Sequence, residues 1–291
     1  MFLEQLINGL TLGGVYALVA LGFTLIFGVL KLMHIAHGDV FMFSGYVIIT
    51  LIGLIPHVPF ILLLLIGTVV GALLGWVVEK VAFKPYRGAH EMVPLIGGIG
   101  VSLVLQNTAT LVWGPEHKTF DFGWAPKDIV LGALHISGQR FWILMVTLVI
   151  MVSFNYWIFR TRTGRAVRAT ASDPQTATMM GIRTEWMIIL IFMIGSALAG
   201  AASVLVGALY GATYPTLGFS IGLKAFAATL MGGVGSLSGA VAGGLTLGVL
   251  EVLTAAYLNV SYQDMVAMTI LILILVVKPN GLLGKRIEEK L

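Results

Sequence analysis

The 291 residues are 58% hydrophobic and only 10% charged, with a mean hydropathy of +0.99. A soluble domain carries about 25% charged residues, so this composition excludes a water-facing surface and makes the chain an integral membrane protein. Cysteine is absent, which excludes a disulfide framework and a thiolate metal site; the net charge of +4 sits in short loops between apolar runs, the pattern of membrane orientation and not of nucleic-acid binding.

In chain order, the N-terminal "MFLEQLINGL" holds Glu4 and no basic residue, so it is expected to be retained and not cleaved as a signal peptide. Spanning helices are predicted at Leu6–Leu30, Val40–Ile55, Phe60–Val78, Met92–Trp113, Phe141–Phe159, Met187–Leu209, Ala240–Leu258 and Met265–Val277, with a shorter apolar helix at Ile221–Met231. The runs lack period-2 alternation, which argues against a β-barrel. The fold class is therefore all-α: a polytopic membrane bundle of eight or nine spans in one domain, 1–291. Helices are expected to be discontinuous near 31–39 and 221–239. Glycines at four-residue spacing (Gly67, Gly71 and Gly75; Gly244 and Gly248) predict close helix packing. Trp113, Trp142, Trp157 and Trp186 fall at span ends, where an indole is half wet.

Between the first two apolar runs stands "HIAHGDV", His34–Val40. His34, His37 and Asp39 are three ionisable groups at a helix break. The two histidines share a helical face, but no third ligand is at hand, so neither a metal nor a cofactor is expected. An ionisable residue inside a bilayer is a functional candidate by default.

Basic residues set the orientation. Lys80, Lys84 and Arg87; Arg160, Arg162, Arg165, Arg168 and Arg183; and Lys278, Lys285, Arg286 and Lys290 occupy three regions separated by even numbers of spans. The opposite loops hold Lys118, Lys127 and Arg140. The first set is expected to be cytoplasmic, with the N-terminus and the 114–140 loop periplasmic. This topology makes Ile221–Met231 cross, with the run "GGVGSLSG" completing the passage as irregular backbone inside the protein. It also places "HIAHGD" toward the cytoplasmic side.

The 160–186 loop is too long for a turn. Its pattern predicts a short helix, a break at "SDPQ", and a second short helix capped by Asp173 with Pro174 in its first turn. Ala166, Ala169, Ala171, Ala177 and Gly181 are small enough to fit a partner's groove. No phosphate-binding loop, nucleophile elbow or H-E-x-x-H pair occurs, so no catalytic residue is expected in the chain.

Four stretches carry a resemblance: "NGLTLGGVYALVALGFTLIFGVLKLMHIAHGD", "GRAVRATASDPQTATMMGI", "GLKAFAATLMGGVGSLSGAVAGG" and "KPNGLLG". Together they resemble the H-type permease subunits of branched-chain amino acid ATP-binding-cassette importers, from end to end of the chain. One position departs from the family: His34 stands where its members usually have asparagine. The resemblance implies an inner-membrane permease with no cofactor. Its partners would be a second, M-type permease, two cytoplasmic ATPases, a periplasmic substrate-binding protein and membrane lipid, with no nucleic acid. It implies that Gly164, Arg165, Ala166, Arg168, Ala169, Asp173, Ala177, Gly181 and Ile182 couple to the ATPases. Candidate pathway or gate residues are His34, His37, Gly38, Asp39, Lys224, Gly232, Gly233, Gly235 and Ser236.

Three alternatives stand beside it. One is a urea or short-amide importer of the same architecture. Another is a proton-driven transporter with His34, His37, Asp39, Lys224 and Glu251 as relay. The last is an intramembrane enzyme using the histidine pair.

Overall fold

A computed structural model describes residues 2–31, 34–55, 57–90, 92–120, 122–124, 126–131 and 134–284. The tail cations Lys285, Arg286 and Lys290, on which part of the expected orientation rests, lie outside the described residues, as do Leu32 and Met33 within the first break. The elements are α1 (Phe2–Leu30), α2 (His37–Leu54), α3 (Phe60–Val78), α4 (Met92–Trp113), β1 (Lys118–Thr119), β2 (Ile129–Leu131), β3 (Leu134–Ile136), α5 (Gly138–Arg160), α6 (Arg162–Ser172), α7 (Pro174–Met179), α8 (Thr184–Tyr210), β4 (Ala212–Thr213), α9 (Leu217–Gly232), α10 (Leu237–Tyr257) and α11 (Gln263–Val277). α3 runs on through a π-helical turn, Glu79–Phe83, and a 3-10 turn, Lys84–Tyr86. Eight helical stretches are long and apolar enough to cross a membrane, and α9 is a shorter apolar helix.

The core is built on α1 and α8. The most apolar window of α1 is 83% buried and that of α8 67%, against 17% for α4 and 6% for α11. A helix apolar on every side is one surrounded by other helices. Close approach is made possible by missing side chains. A Cβ on Gly22 would fall on the Gly195 carbonyl, joining α1 to α8. The predicted ridge Gly67, Gly71, Gly75 of α3 lies against Phe192, Ser196, Gly200 and Val204 of α8. Gly244 and Gly248 of α10 lie against Ala17 and Gly13 of α1. In lipid, where helices gain nothing by hiding from tails as apolar as themselves, such contact surfaces hold the bundle.

α1 and α8 share a second property. Each is followed by a short break and then by a helix that starts inside the bundle. The first turns of these two helices cross: a Cβ on Gly38 of α2 would strike the Gly218 carbonyl of α9, and one on Gly218 would meet the Gly38 carbonyl. The counterpart of the first break is thus 211–216, and not the expected "GGVGSLSG". α9 also begins four residues before the expected Ile221, because Gly218, which reads as a loop residue, is a packing residue. Its 16 residues reach about 24 Å. Starting within the bundle, α9 needs no irregular backbone to complete its passage.

Contacts sort the helix ends. Lys84 lies 4.0 Å from Glu185, and a Cβ on Gly28 would reach Ala171. The ends of α1 and α3, the α6–α7 pair and the start of α8 therefore share one end, here the basic end. At the opposite end β1 pairs antiparallel with β4, and β2 with β3. The backbone N–H of His135 donates to Glu4 Oε1 at 2.9 Å, and Trp113 Nε1 donates to Thr50 Oγ1 at 2.7 Å. These two-stranded ladders were not legible as strands, being two or three residues long.

Candidate functional site

α1 stops at Leu30, and Lys31 turns the chain through a left-handed φ of 56°. The chain then re-enters the bundle: His34 and His37 are fully buried and Asp39 is 1% exposed. His37 Nε2 lies 3.2 Å from the Val19 carbonyl, to which it donates. Val19 is eleven residues before the end of α1, about 16 Å along it. The pair therefore lies within the bundle, nearer the basic end of α1 than its start. A broken helix can reach this depth because its freed polar groups are enclosed by protein.

The three groups do not converge. His34 packs among the rings of Phe83, Phe192 and His37, with centroids 5.3, 5.5 and 5.6 Å away. Neither of its ring nitrogens, nor Nδ1 of His37, has a hydrogen-bond partner among the described residues. Asp39 turns toward α4, accepting from Ser102 Oγ at 2.5 Å and Gln106 Nε2 at 3.0 Å. Sequence reasoning missed these α4 partners; polar residues four apart in an apolar helix were the available signal.

Lys224 belongs elsewhere. Its Nζ lies 2.5 Å from Glu251 Oε1 and 2.8 Å from Asp264 Oδ1, with the Tyr16 ring 5.9 Å below. The ammonium and Glu251 are nearly buried and the pair is matched in sign, as burial of charge requires. No hydrogen bond links this cluster to His34, His37 or Asp39 among the described residues, so the five residues of the proton-relay alternative form two separate groups.

The glycine run lies at the other end of α9 from Gly218. Gly233 ends α9 with φ +109°, Gly235 follows with φ +81°, and Ser236 caps α10 by accepting from Gly239 N–H at 3.1 Å. The irregular backbone expected at Gly232–Ser236 is a tight turn, and it is not adjacent to the histidines. It is held by the tail instead. Leu282 and Leu283 N–H donate to the Met231 and Gly232 carbonyls at 2.8 and 2.9 Å. Gly281 lies so close to Gly233 that a Cβ there would strike its backbone. Two of the quoted stretches, "GGVGSLSG" and "KPNGLLG", are thus one structural unit.

The 160–186 segment forms the two expected short helices. Thr161 Oγ1 accepts from Gly164 N–H at 3.0 Å to start α6. Asp173 accepts from the N–H groups of Gln175 and Thr176 at 2.9 and 3.2 Å and from Thr176 Oγ1 at 2.5 Å, with Pro174 in the first turn. The Thr176 hydroxyl and these backbone donors hold the Asp173 carboxyl below its ordinary pKa. Arg165, Arg168 and Gly181 are exposed, and Ala166, Ala169 and Ile182 half-buried. Two of the residues expected to couple face inward: Gly164 is buried against the Trp157 and Ile158 carbonyls, and Ala177, one of the five small residues, is 4% exposed. What stands out from the surface is Met179 and Met180, 86% and 78% exposed. The expectation had weighed only residue size and passed over them.

Comparison with known proteins places these features. The chain matches the family described as branched-chain amino acid transport system / permease component over residues 5–275. It is 39% identical over 300 residues to the high-affinity branched-chain amino acid transport system permease protein LivH of Escherichia coli (strain K12), across 99% of this chain and 97% of that protein. It is 38% identical over 301 residues to the permease protein BraD of Pseudomonas aeruginosa, also of a high-affinity branched-chain amino acid transport system, across 99% and 98%. A more distant relative is the ribose import permease protein RbsC of Escherichia coli (strain K12), 25% identical over 286 residues, across 96% and 86%.

Proposed function

The chain belongs to the branched-chain amino acid transport system permease family, and on that premise we propose that it forms half of the translocation pathway of an importer for leucine, isoleucine and valine. It is a multi-pass inner-membrane transport subunit. The other half of the pathway is a second, M-type permease. Two ATPases on separate chains supply the energy, and a periplasmic binding protein delivers the cargo. The basic end is cytoplasmic and the 114–140 loop periplasmic.

The observation that carries this reading is the α6–α7 pair. Two capped helices stand at the basic end and present the exposed side chains of Met179 and Met180. Unbranched, polarisable methionine suits a surface that repacks against a moving partner. A permease without a nucleotide site needs such a handle to feel hydrolysis elsewhere. The pathway residues are His34, His37, Gly38 and Asp39, where α2 and α9 cross. Lys224 and Gly232–Ser236 follow that crossing along and beyond α9.

The test is to express the chain with its genomic neighbours, purify by a tag on this chain, and assay uptake in proteoliposomes. ATPase chains should co-purify, and leucine should accumulate only with ATP and the binding protein. Uptake driven by a proton gradient without ATP would overturn the assignment.

A further inference from the structure

A cavity of about 290 Å³ opens at the end of the bundle assigned above to the periplasm, lined on its polar side by Gln5, Asn8, Arg140, Tyr210 and Gln263. Its size is just under the ~300–1,000 Å³ usual for drug-sized ligands, as suits a smaller molecule. The starts of α1, α5 and α11 and the ends of α8 and α10 meet there. Arg140 is half-buried, and no carboxylate among the described residues lies within ion-pair distance of its guanidinium. The nearby cation, Lys224, already holds both Glu251 and Asp264. The rest of the lining is aliphatic, Leu12, Leu209, Val252, Ala255 and Ala256.

We propose that this cavity is a receiving site for the free amino acid on its way into the pathway. The fit is one of charge and shape. A guanidinium presents a planar fork of donors that matches a carboxylate. The amide oxygens of Gln5, Asn8 and Gln263 accept from an ammonium. The aliphatic wall takes a branched side chain. An unmatched cation beside neutral acceptors and an apolar wall complements an α-amino acid, and it does not complement a hydrocarbon tail. The assignment rests on the importer reading of the previous section, and it makes Arg140 the residue that holds the carboxylate.

The experiment uses the complete assembly in lipid nanodiscs and a diazirine analogue of leucine. After illumination, peptide mapping should place the label on residues 5–12, 209–210 or 252–263. Excess leucine should remove it, and excess isoamylamine, which lacks the carboxylate, should not. Arg140→Gln should lower labelling at least tenfold, and Arg140→Lys, which keeps the charge and loses the fork, should lower it less than Arg140→Gln does, at unchanged thermal unfolding. Nanodiscs with and without phosphatidylglycerol should label alike; loss of label with that lipid means that a headgroup fills the cavity, and the proposal falls. It falls equally if the label maps elsewhere or isoamylamine competes as leucine does. Should the glutamine variant fail to fold, the amine competition still decides. Wild-type leucine uptake is measured alongside. Its absence defeats the importer reading, whereas uptake without labelling here defeats this inference alone.

Discussion

Gly38 and Gly218 lie where two helices begin inside the protein, and each occupies space that a methyl group would need. Neither has the positive φ that would demand glycine for backbone reasons, so the demand is steric. Overpacking a close contact destabilises by about 1–3 kcal/mol. Gly38→Ala and Gly218→Ala should each lower the unfolding temperature of the purified protein and depress uptake. Gly53→Ala, where nothing lies within 4 Å, should leave both unchanged. Equal behaviour of the three variants in a fluorescence unfolding assay would show that the crossing is looser than described. Asp39 makes a parallel case by hydrogen bonding. Asp39→Asn keeps an acceptor for Ser102 or Gln106, while Asp39→Ala leaves those α4 groups unpaired, at about 1–3 kcal/mol for a buried polar group. The alanine variant should be the less stable by that margin, and a reversed order would count against the α4 contact.

At the scale of elements, α6 and α7 separate shape from charge. A purely lipid-bound helix pair would depend on its arginines; a docking pair depends on what it projects. Met179→Glu and Met180→Glu should abolish ATP-driven uptake at unchanged membrane level, with loss of co-purifying ATPase. Arg160→Lys and Arg162→Lys should be nearly silent, since either cation serves at a headgroup. Gly181→Trp is a poor probe, because Gly181 has φ +81° and any side chain there strains the turn. Sidedness is checked on the same helix. Ser172 is exposed at the end of α6, and the chain has no native cysteine. Ser172→Cys should resist an impermeant thiol reagent in intact cells and react in inverted vesicles; labelling from outside would reverse the topology.

For the whole molecule, the tail closes the structure. Residues after α11 return to the end of α9 through two backbone hydrogen bonds and the glycine contacts of Gly281 with Gly233. α9 in turn crosses α2 at the histidine break. Truncation after Lys278 should therefore speed amide exchange in residues 229–239, read by mass spectrometry, and lower uptake. Unchanged exchange there would show that the strap adds no stability to the turn.

Membrane class, span positions, the glycine ridges of α3 and α10 and the Asp173 cap were all legible in the sequence. Each depends on residues close together in the chain: about twenty apolar residues must cross a bilayer wherever they pack, and a cap acts on the helix it begins. Which breaks face each other, how deep the histidines lie, what Lys224 pairs with and where the tail docks were decided by tertiary structure alone. Those contacts join Gly38 to Gly218, Asp39 to Ser102 and Leu282 to Met231. A glycine that reads as a loop and one that admits another backbone are the same letter. The difference is the presence of a second helix within reach, and only packing of the whole bundle supplies it.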